Sequence, residues 1–391
     1  MKSNWITATI DDVCTVVTDG AHNSPKSVEQ GHYMASVKDF TEFGFDFSNC
    51  KQIGEEDYEK LRNQGCVPEK NDILVGKDGA RYFEDIIIYK QDERPALLSS
   101  IAILRADCRK ITPEFLYYTL KSPAVRKDVR DNYGSGSAIP RIVLKDFKRM
   151  PFSFPSIEEQ RKITNLCSAI DAKIQINNAI NENLEQQAKA LYQQMFIENT
   201  CPDWIEGSLR DIADITMGQS PSGSSYNEDG IGTIFFQGRA EFSFRFPTIR
   251  LYTTEPKRMA YANDILMSVR APVGDLNIAH TDCCIGRGLA AIHSKTNHQS
   301  FVLYTMFSLR KQLDVFNGEG TVFGSINRNS LNDMPILIPS DETIEEFEKI
   351  VAPMDAAIRN NYDEICRLQA VRDSLLPRLM SGELDVSSLD I

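Results

Sequence analysis

The feature that most constrains the fold is an internal repeat. From Gly136 onward the two halves of the chain match at an offset of 184 residues without a gap. The identical pairs are Gly136 and Gly320, Ile142 and Ile326, Met150-Pro151 and Met334-Pro335, Pro155 and Pro339, Asp171 and Asp355, Ile174 and Ile358, Asn177 and Asn361, Leu184 and Leu368, and Leu191 and Leu375. Upstream, three weaker matches occur in the same order: residues 5–13 resemble 204–212, residues 71–74 resemble 263–266, and residues 115–120 resemble 301–306. An ordered series of this kind indicates two copies of one structural unit.

Each copy ends in a predicted long helix. Residues 157–196 contain no Pro or Gly, and Ser156 is placed as the N-cap before two glutamates. Pro353 is placed to bend the second helix, and Gly382 to end it. The two apolar stripes are predicted to use Ile163, Leu166, Ile170, Ile174, Ile180, Leu184, Leu191 and Met195, and Phe347, Ile350, Met354, Ile358, Ile365, Leu368, Val371, Leu375 and Leu379.

A helix of this length, roughly 60 Å, needs a partner of similar length. The other repeat supplies one, so we predict that the two helices pair as an antiparallel coiled coil. Asn177 and Asn361 both fall at a core-type heptad position, where a buried Asn specifies register. The alternative is that both are partly exposed and carry no such role.

The globular part of each copy mixes strand-like runs with helices. Residues 85–89, 100–104, 264–269 and 288–292 are predicted strands, and Thr112-Pro113 opens a helix to about Lys121. We therefore predict an α+β fold of two tandem pseudo-repeats. The predicted boundaries are 1–155 and 200–339 for the globular domains, 156–199 and 340–382 for the helices, and 383–391 for a tail.

Composition sets limits on compartment and partners. Nine scattered cysteines do not form a disulfide framework, and no apolar run reaches membrane-spanning length or resembles a signal peptide, so a cytoplasmic location is expected. The net charge of −12 argues mildly against nucleic acid as a partner. However, residues 237–311 hold ten cations against five anions, as a local DNA-binding surface would require. A solvated surface is the alternative.

Gly-containing polar loops accompany the predicted strands. Small residues allow close approach to a phosphate backbone, while Arg, Lys and Gln can contact phosphates or base edges. The alternative for any single Gly-Arg loop is a turn with a solvated charge. The candidate DNA-binding residues are Lys77, Arg81, Ser135, Arg141, Gln219, Ser220, Gln237, Arg239, Arg270, Arg287 and Arg328.

Several of these segments give the chain a family resemblance. It resembles the DNA-specificity subunits of Type I restriction-modification enzymes in residues 218–222 (Gly-Gln-Ser-Pro-Ser), 235–238 (Phe-Phe-Gln-Gly), 268–274 (Ser-Val-Arg-Ala-Pro-Val-Gly), 284–290 (Cys-Ile-Gly-Arg-Gly-Leu-Ala), 72–79, 155–160 and 339–342. The likeness covers nearly the whole chain, including its two-repeat plan. One departure is that the Glu159-Gln160 pair opening the first helix is replaced by Thr343-Ile344 in the second.

The resemblance implies a non-catalytic DNA-binding subunit. Each globular domain would be a target-recognition domain reading half of a split double-stranded site, with the helices serving as ruler and docking surface. Two modification subunits would carry S-adenosylmethionine and methylate adenine N6. Two restriction subunits would use ATP and Mg²⁺ for translocation and cleavage. No cofactor and no membrane contact are expected for the chain itself.

Catalytic alternatives are poorly supported by the sequence. No Pro-Pro pair of the adenine-methyltransferase type and no P-loop motif occur. A metal-dependent nuclease would have to use Pro202-Asp203 with residues 255–257, and coincidence explains that match better. A zinc site would have to use His280, Cys283, Cys284 and His293, which coincidence also explains better. Cys284 is more simply a buried strand residue. Two further alternatives stay open, namely the specificity partner of a methyltransferase-nuclease fusion and a scaffold that binds only proteins.

Overall fold

A computed structural model describes residues 5–79, 81–134, 140–318, 324–384 and 386 of the chain. The chain divides into two compact units. Unit 1 comprises Met1–Asn177 together with Asp363–Ile391, and unit 2 comprises Asn178–Tyr362. None of the helices in the described ranges is long and apolar enough to cross a membrane.

Unit 1 is built from short strands and helices that lead into the first long helix. In chain order they are β1 Ile6–Thr9, α1 Ile10–Val13, β2 Cys14–Asp19, β3 His32–Ala35, β4 Lys51–Ile53, α2 Glu55–Asn63, β5 Ile73–Gly76, β6 Ile86–Ile88, β7 Ala96–Leu97, β8 Ile101–Ala106, α3 Pro113–Lys121, α4 Pro123–Asn132, α5 Leu144–Arg149, β9 Pro151–Phe154 and α6 Ile157–Tyr192. A π-helical turn, Gln193–Glu198, follows α6.

Three sheets organise unit 1. Strands β2-β8-β5-β6 form the central sheet, β4-β3-β7 a second, and β1-β9 a third. The central strands are rich in Ile, Leu and Val, and the burial of Ile73, Leu74 and Leu104 on both faces explains this composition. Helix α3 begins where predicted, because Thr112 accepts the Phe115 amide hydrogen bond and Pro113 occupies the first turn.

Unit 2 repeats this order with two additional strands, β12 and β15, and without a helix at the place of α2. Its elements are β10 Ile205–Ser208, α7 Leu209–Ile212, β11 Ala213–Met217, β12 Tyr226–Asn227, β13 Thr233–Phe236, β14 Leu251–Thr253, β15 Met259–Ala260, β16 Ile265–Ser268, β17 Leu276–Ile278, β18 Cys283–Ile285, β19 Leu289–Ser294, α8 Gln299–Ser308, α9 Arg310–Asp314, α10 Arg328–Asn332, β20 Pro335–Ile338 and α11 Asp341–Met380.

The sheets of unit 2 have the same connectivity as those of unit 1. The central sheet is β11-β19-β16-β17, the second is β12-β14-β13-β18-β15, and β10 pairs with β20. The parallel pairs β3–β7 and β13–β18 are equivalent, and so are the capped turns of α1 and α7. The predicted α+β fold of two tandem repeats is therefore confirmed. The predicted strands at 85–89, 100–104, 264–269 and 288–292 correspond to β6, β8, β16 and β19.

The first long helix begins at the predicted cap, Ser156, and the second begins after the equivalent serine, Ser340. The Glu159 amide donates to Ser156 Oγ at 3.4 Å, and the Thr343 amide donates to Ser340 Oγ at 3.3 Å. After α11, Gly382 adopts a positive φ of 67°, the conformation that ends a helix most readily with glycine.

Each long helix belongs partly to both units, because the unit boundaries follow Asn177 in α6 and Tyr362 in α11. Within each unit, polar contacts join α6 to α11. In unit 1, Asn177 is buried and donates to Glu364 at 2.8 Å. In unit 2, the partly exposed Asn361 donates to the buried Asn181 at 2.8 Å. Asn177 thus occupies a buried position as predicted, whereas Asn361 does not. The pairing of the helices as a coiled coil stays a prediction.

The predicted apolar stripes are wrong at three positions. Ile180 is 43% exposed, whereas its neighbour Asn181 is 1% exposed. Likewise, Ile350 and Val371 are exposed, while the next residues, Val351 and Arg372, are buried. The buried line follows the 3.5-residue spacing of a helix contact through Ile174, Asn177, Asn181 and Ala188, and hydropathy alone does not reveal that a polar residue belongs to it.

Equivalent positions in the two repeats hold a hydrogen-bonded Tyr–Asp pair, which is buried in unit 1 and partly buried in unit 2. In unit 1, Tyr118 on α3 donates to Asp171 on α6 at 2.7 Å. In unit 2, Tyr304 on α8 donates to Asp355 on α11 at 3.0 Å. Burial raises the pKa of the Asp355 carboxyl, while the neighbouring positive charge of Arg245 opposes that rise. These pairs attach each globular part to the helix that follows it in sequence.

Candidate nucleic-acid interface

Five of the predicted site residues line one cleft in unit 2. The cleft has a volume of about 400 Å³ and opens beside the carboxyl ends of β13 and β16. The predicted residues along its wall are Ser220, Gln237, Arg239, Arg270 and Arg287. These residues are up to 67 positions apart in sequence, so the fold brings separate loops together here.

Backbone hydrogen bonds fix the loops around this cleft. The Gln219 amide donates to the Ile285 carbonyl at 3.0 Å, and the Gly286 amide donates to the Phe236 carbonyl at 2.8 Å. The Arg287 amide donates to Ser220 Oγ at 3.2 Å. The family-like segments that begin at Gly218, Phe235 and Cys284 are therefore neighbours in space.

Glycine is required where two of these loops approach. A Cβ atom at Gly218 would lie 2.2 Å from the Gly286 carbonyl oxygen, and one at Gly286 would lie 2.7 Å from the Gln237 carbonyl oxygen. Any other side chain would push these backbones apart. The glycines thus serve to hold the loops together, a structural reason distinct from the close approach to phosphate that the sequence suggested.

The cleft is mainly cationic, but its arginines differ in their pairing. Arg239 lies 2.5 Å from an Asp275 carboxylate oxygen, and Arg250 lies 2.8 Å from Glu241. Arg270 and Arg287 are exposed, and neither forms an ion pair with another residue in the described ranges. Their guanidinium groups have donors available for an anion or an acceptor group.

Two predicted residues of unit 2 lie outside the lining of this cleft. Gln219 is exposed and adjacent to Ser220 in sequence. Arg328 is the first residue of the short helix α10 and is also exposed. Conversely, sequence reasoning missed Arg250 and Glu241, which both line the cleft. Arg250 was visible only as one member of the basic segment, and Glu241 carried no signal, because an acid opposes phosphate binding.

The corresponding region of unit 1 has a different chemistry. Lys77 is buried and lies 3.3 Å from Asp19 and 3.6 Å from Asp78, so its charge is already compensated. Arg81 is exposed and pairs with Asp85 at 2.7 Å, and Arg141 forms an isolated β-bridge with Asp78. Ser135 lies outside the described residues.

Hydrogen bonds identify equivalent positions in the two units. In unit 1, the Lys77 amide donates to the Ser100 carbonyl at 2.8 Å. In unit 2, the Val269 amide donates to the Gly288 carbonyl at 2.9 Å. The next residues, Asp78 and Arg270, form equivalent bridges to Arg141 and Ser325. The residues before Ser100 and Gly288 are Ser99 and Arg287. Two arginines of unit 2 therefore correspond to an aspartate and a serine in unit 1.

The candidate metal ligands are not arranged as a site. Within the described ranges, no three His, Cys, Asp or Glu side chains are grouped so that they could hold a metal ion. Cys284 is buried in β18 as predicted, and burial raises the pKa of its neighbour Cys283 to about 12. His293 is instead 2.7 Å from Asp264.

Comparison with known proteins shows the family to which the chain belongs. The model of the Type I restriction modification DNA specificity domain matches residues 2–186 and again residues 202–365. The chain belongs to this family. The two matches agree with the repeat, and together they include all the loops that line the cleft and its unit 1 counterpart.

Similar proteins extend over most of the chain. A protein assigned as the MjaX type I restriction enzyme specificity subunit of Methanocaldococcus jannaschii is 28% identical over 413 aligned positions, covering 99% of this chain and 95% of the relative. The HindI specificity subunit of Haemophilus influenzae is 22% identical, covering 81% and 87%. The S subunit of a type I system from M. genitalium shares the fold, with a TM-score of 0.57, 18% identity and 96% coverage of both chains.

Proposed function

We propose that this specificity-family chain is the DNA-reading subunit of a Type I restriction-modification enzyme, and that each unit reads one half of a bipartite target. The observation that carries the proposal is the unit 2 cleft. Its walls come from the family-like loops, and the exposed guanidinium groups of Arg270 and Arg287 project from them without ion-pair partners in the described chain. Arginine in such a position can contact phosphates or read guanine in the major groove.

The two halves of the target should differ in sequence. Asp78 in unit 1 occupies the position of Arg270 in unit 2, and Ser99 occupies that of Arg287. A carboxylate accepts hydrogen bonds whereas a guanidinium only donates them, so the two surfaces favour different base edges. The target is therefore two unlike blocks separated by a non-specific gap.

The partners follow from the same proposal. Two modification subunits would bind the chain, carry S-adenosylmethionine and methylate adenine N6 in a flipped base. Two restriction subunits would supply ATP- and Mg²⁺-dependent translocation and cleavage. Exposed aliphatic side chains on α6 and α11, namely Ile176, Ile180, Ile350 and Val371, support a docking role for these helices.

The test is to reconstitute the chain with its modification subunits and map the methylated adenines in exposed DNA. We expect two short specific blocks with a fixed spacing. A single continuous block would contradict the bipartite model. The purified chain alone, given DNA, Mg²⁺, ATP and S-adenosylmethionine, should neither cut nor methylate. A protein-only scaffold would show no salt-dependent DNA binding.

A further inference from the structure

One acidic side chain stands within the cationic cleft of unit 2. Glu241 lies in the 3₁₀ turn Arg239–Glu241, directly after Gln237 and Gly238, and is 7% exposed. Its Oε1 atom accepts a hydrogen bond from Arg250 at 2.8 Å. Its Oε2 atom is buried and has no hydrogen-bond partner in the described chain. A buried carboxylate oxygen in this state costs free energy unless a ligand satisfies it.

The ligand that fits this cleft must offer both kinds of group. Arg270 and Arg287 require acceptors, whereas Glu241 Oε2 requires a donor. A phosphate group presents acceptors only, so it would leave Glu241 unsatisfied and repelled. A G·C base pair presents both in the major groove, because guanine N7 and O6 accept and cytosine N4 donates.

We infer that Glu241 is a specificity-determining residue that accepts a hydrogen bond from the N4 amino group of a cytosine in the half-site bound by unit 2. This inference rests on the proposed function. Arg270 or Arg287 donates to the guanine of the same or the neighbouring pair. Cytosine is preferred to adenine because adenine offers a donor beside an acceptor on one edge, which suits an amide side chain, whereas a carboxylate can only accept.

Unit 1 uses a different residue at this place. The equivalent 3₁₀ turn, Val37–Asp39, also ends in an acid, but Asp39 accepts from the Ser36 amide at 2.8 Å and from the Ser36 hydroxyl at 2.9 Å. Asp39 thus caps its own turn, and its role is local. Glu241 follows a glycine-led turn that offers no such capping hydroxyl, because Gly238 is the N-cap. An acid in both turns therefore does not imply the same function.

The experiment combines a substitution with a base analogue. The reconstituted complex is bound to its mapped target and to a series with each base pair changed in turn. Glu241→Gln should abolish discrimination at one G·C pair of one half-site, a loss of roughly ten- to hundredfold, and leave the other half-site unchanged. Glu228→Gln is the matched control, since Glu228 also pairs with Arg250, at 3.3 Å, but on the exposed surface.

The decisive measurement replaces that cytosine with pyrimidin-2-one, which lacks the N4 amino group. The analogue should weaken binding by the wild-type complex about tenfold or more, and should cost the Glu241→Gln complex little, because the interaction is already lost. An equal analogue penalty in both complexes would overturn the inference and leave Glu241 as a support for Arg250. A wild-type complex with no bipartite target would instead refute the proposed function itself.

Discussion

Arg372 on α11 donates a hydrogen bond to Asp171 on α6 at 2.8 Å, and both residues are more than nine-tenths buried. The same guanidinium lies 3.3 Å from Glu42, so it also ties a loop of the globular part to the helices of unit 1. Asp171 also accepts a hydrogen bond from the Tyr118 hydroxyl at 2.7 Å. A buried charge of this kind depends on its partners far more than a surface charge does.

Removing Arg372 should therefore destabilise unit 1. We expect Arg372→Ala to lower the free energy of unfolding by about 3 kcal/mol, because Asp171 is left as an uncompensated buried charge. Urea denaturation followed by tryptophan fluorescence measures this. Arg109→Ala is the control, since Arg109 pairs with Asp107 but its side chain is 85% exposed, so its loss should leave the free energy of unfolding almost unchanged. Equal stability of the two variants would show that the pair contributes little.

Arg270 and Arg287 should support DNA binding in distinguishable ways. If either reads a base bidentately, its replacement by alanine should cost about 1–3 kcal/mol on the specific target only. If it contacts phosphate, binding should weaken on all sequences, and the slope of log affinity against log salt concentration should fall in magnitude by about one. Affinity titrations at several salt concentrations separate these cases. Unchanged affinity together with an unchanged salt slope in both variants would exclude the cleft from binding.

The approach of two loops at Gly218 should tolerate no added carbon atom. We expect Gly218→Ala to weaken specific DNA binding and to destabilise unit 2 by about 1–3 kcal/mol, because the new Cβ would overlap the Gly286 carbonyl. Gly223→Ala is the matched control, since no atom lies within 4 Å of its Cβ position. Thermal denaturation and target affinity are both measured. The explanation fails if the two alanine variants behave alike.

Cysteine reactivity should reveal burial within both units. Cys108, Cys201 and Cys366 are exposed, whereas Cys167 and Cys283 are buried and their pKa values are raised to about 12 by burial. An aromatic disulfide reagent at pH 8 should therefore modify three thiols rapidly, because the thiolate is the reactive form. Peptide mapping identifies them, and denaturation should expose all nine. Rapid modification of Cys167 or Cys283 in the native chain would contradict this packing.

The elements that sequence reasoning predicted well are those with local signals. Helix α3 follows from Thr112 and Pro113, and β6 and β8 follow from their runs of isoleucine and leucine. The order of the strands in each sheet was not predicted, because it depends on pairings such as β2 with β8 between distant segments. The placement of Asn181 and Arg372 on the buried faces was missed for a related reason. Only the partner side chains make a polar residue acceptable there.

The candidate site was predicted in part. Glycine and arginine in the loops of unit 2 indicated the residues that line the cleft, because these residue types suit a nucleic-acid surface. Lys77 looked similar in sequence, but the structure pairs it with Asp19 in the interior. Glu241 could not have been found from composition, since its importance depends on one oxygen atom without a partner.

The polar clusters around Asp171 and Asp355 have consequences for protein engineering. In unit 1, a loop of the globular part contributes the acid Glu42, which pairs with the base Arg372 on α11. In unit 2 the charges are reversed, because a loop of the globular part contributes the base Arg245, which pairs with the acid Glu185 on α6. If the globular part of one unit were placed on the long helices of the other, like charges would meet, namely Glu42 beside Glu185 or Arg245 beside Arg372. A chimaera that exchanges the two globular parts would therefore have to exchange these helix residues as well, because each globular part depends on the charges of the helix against which it packs.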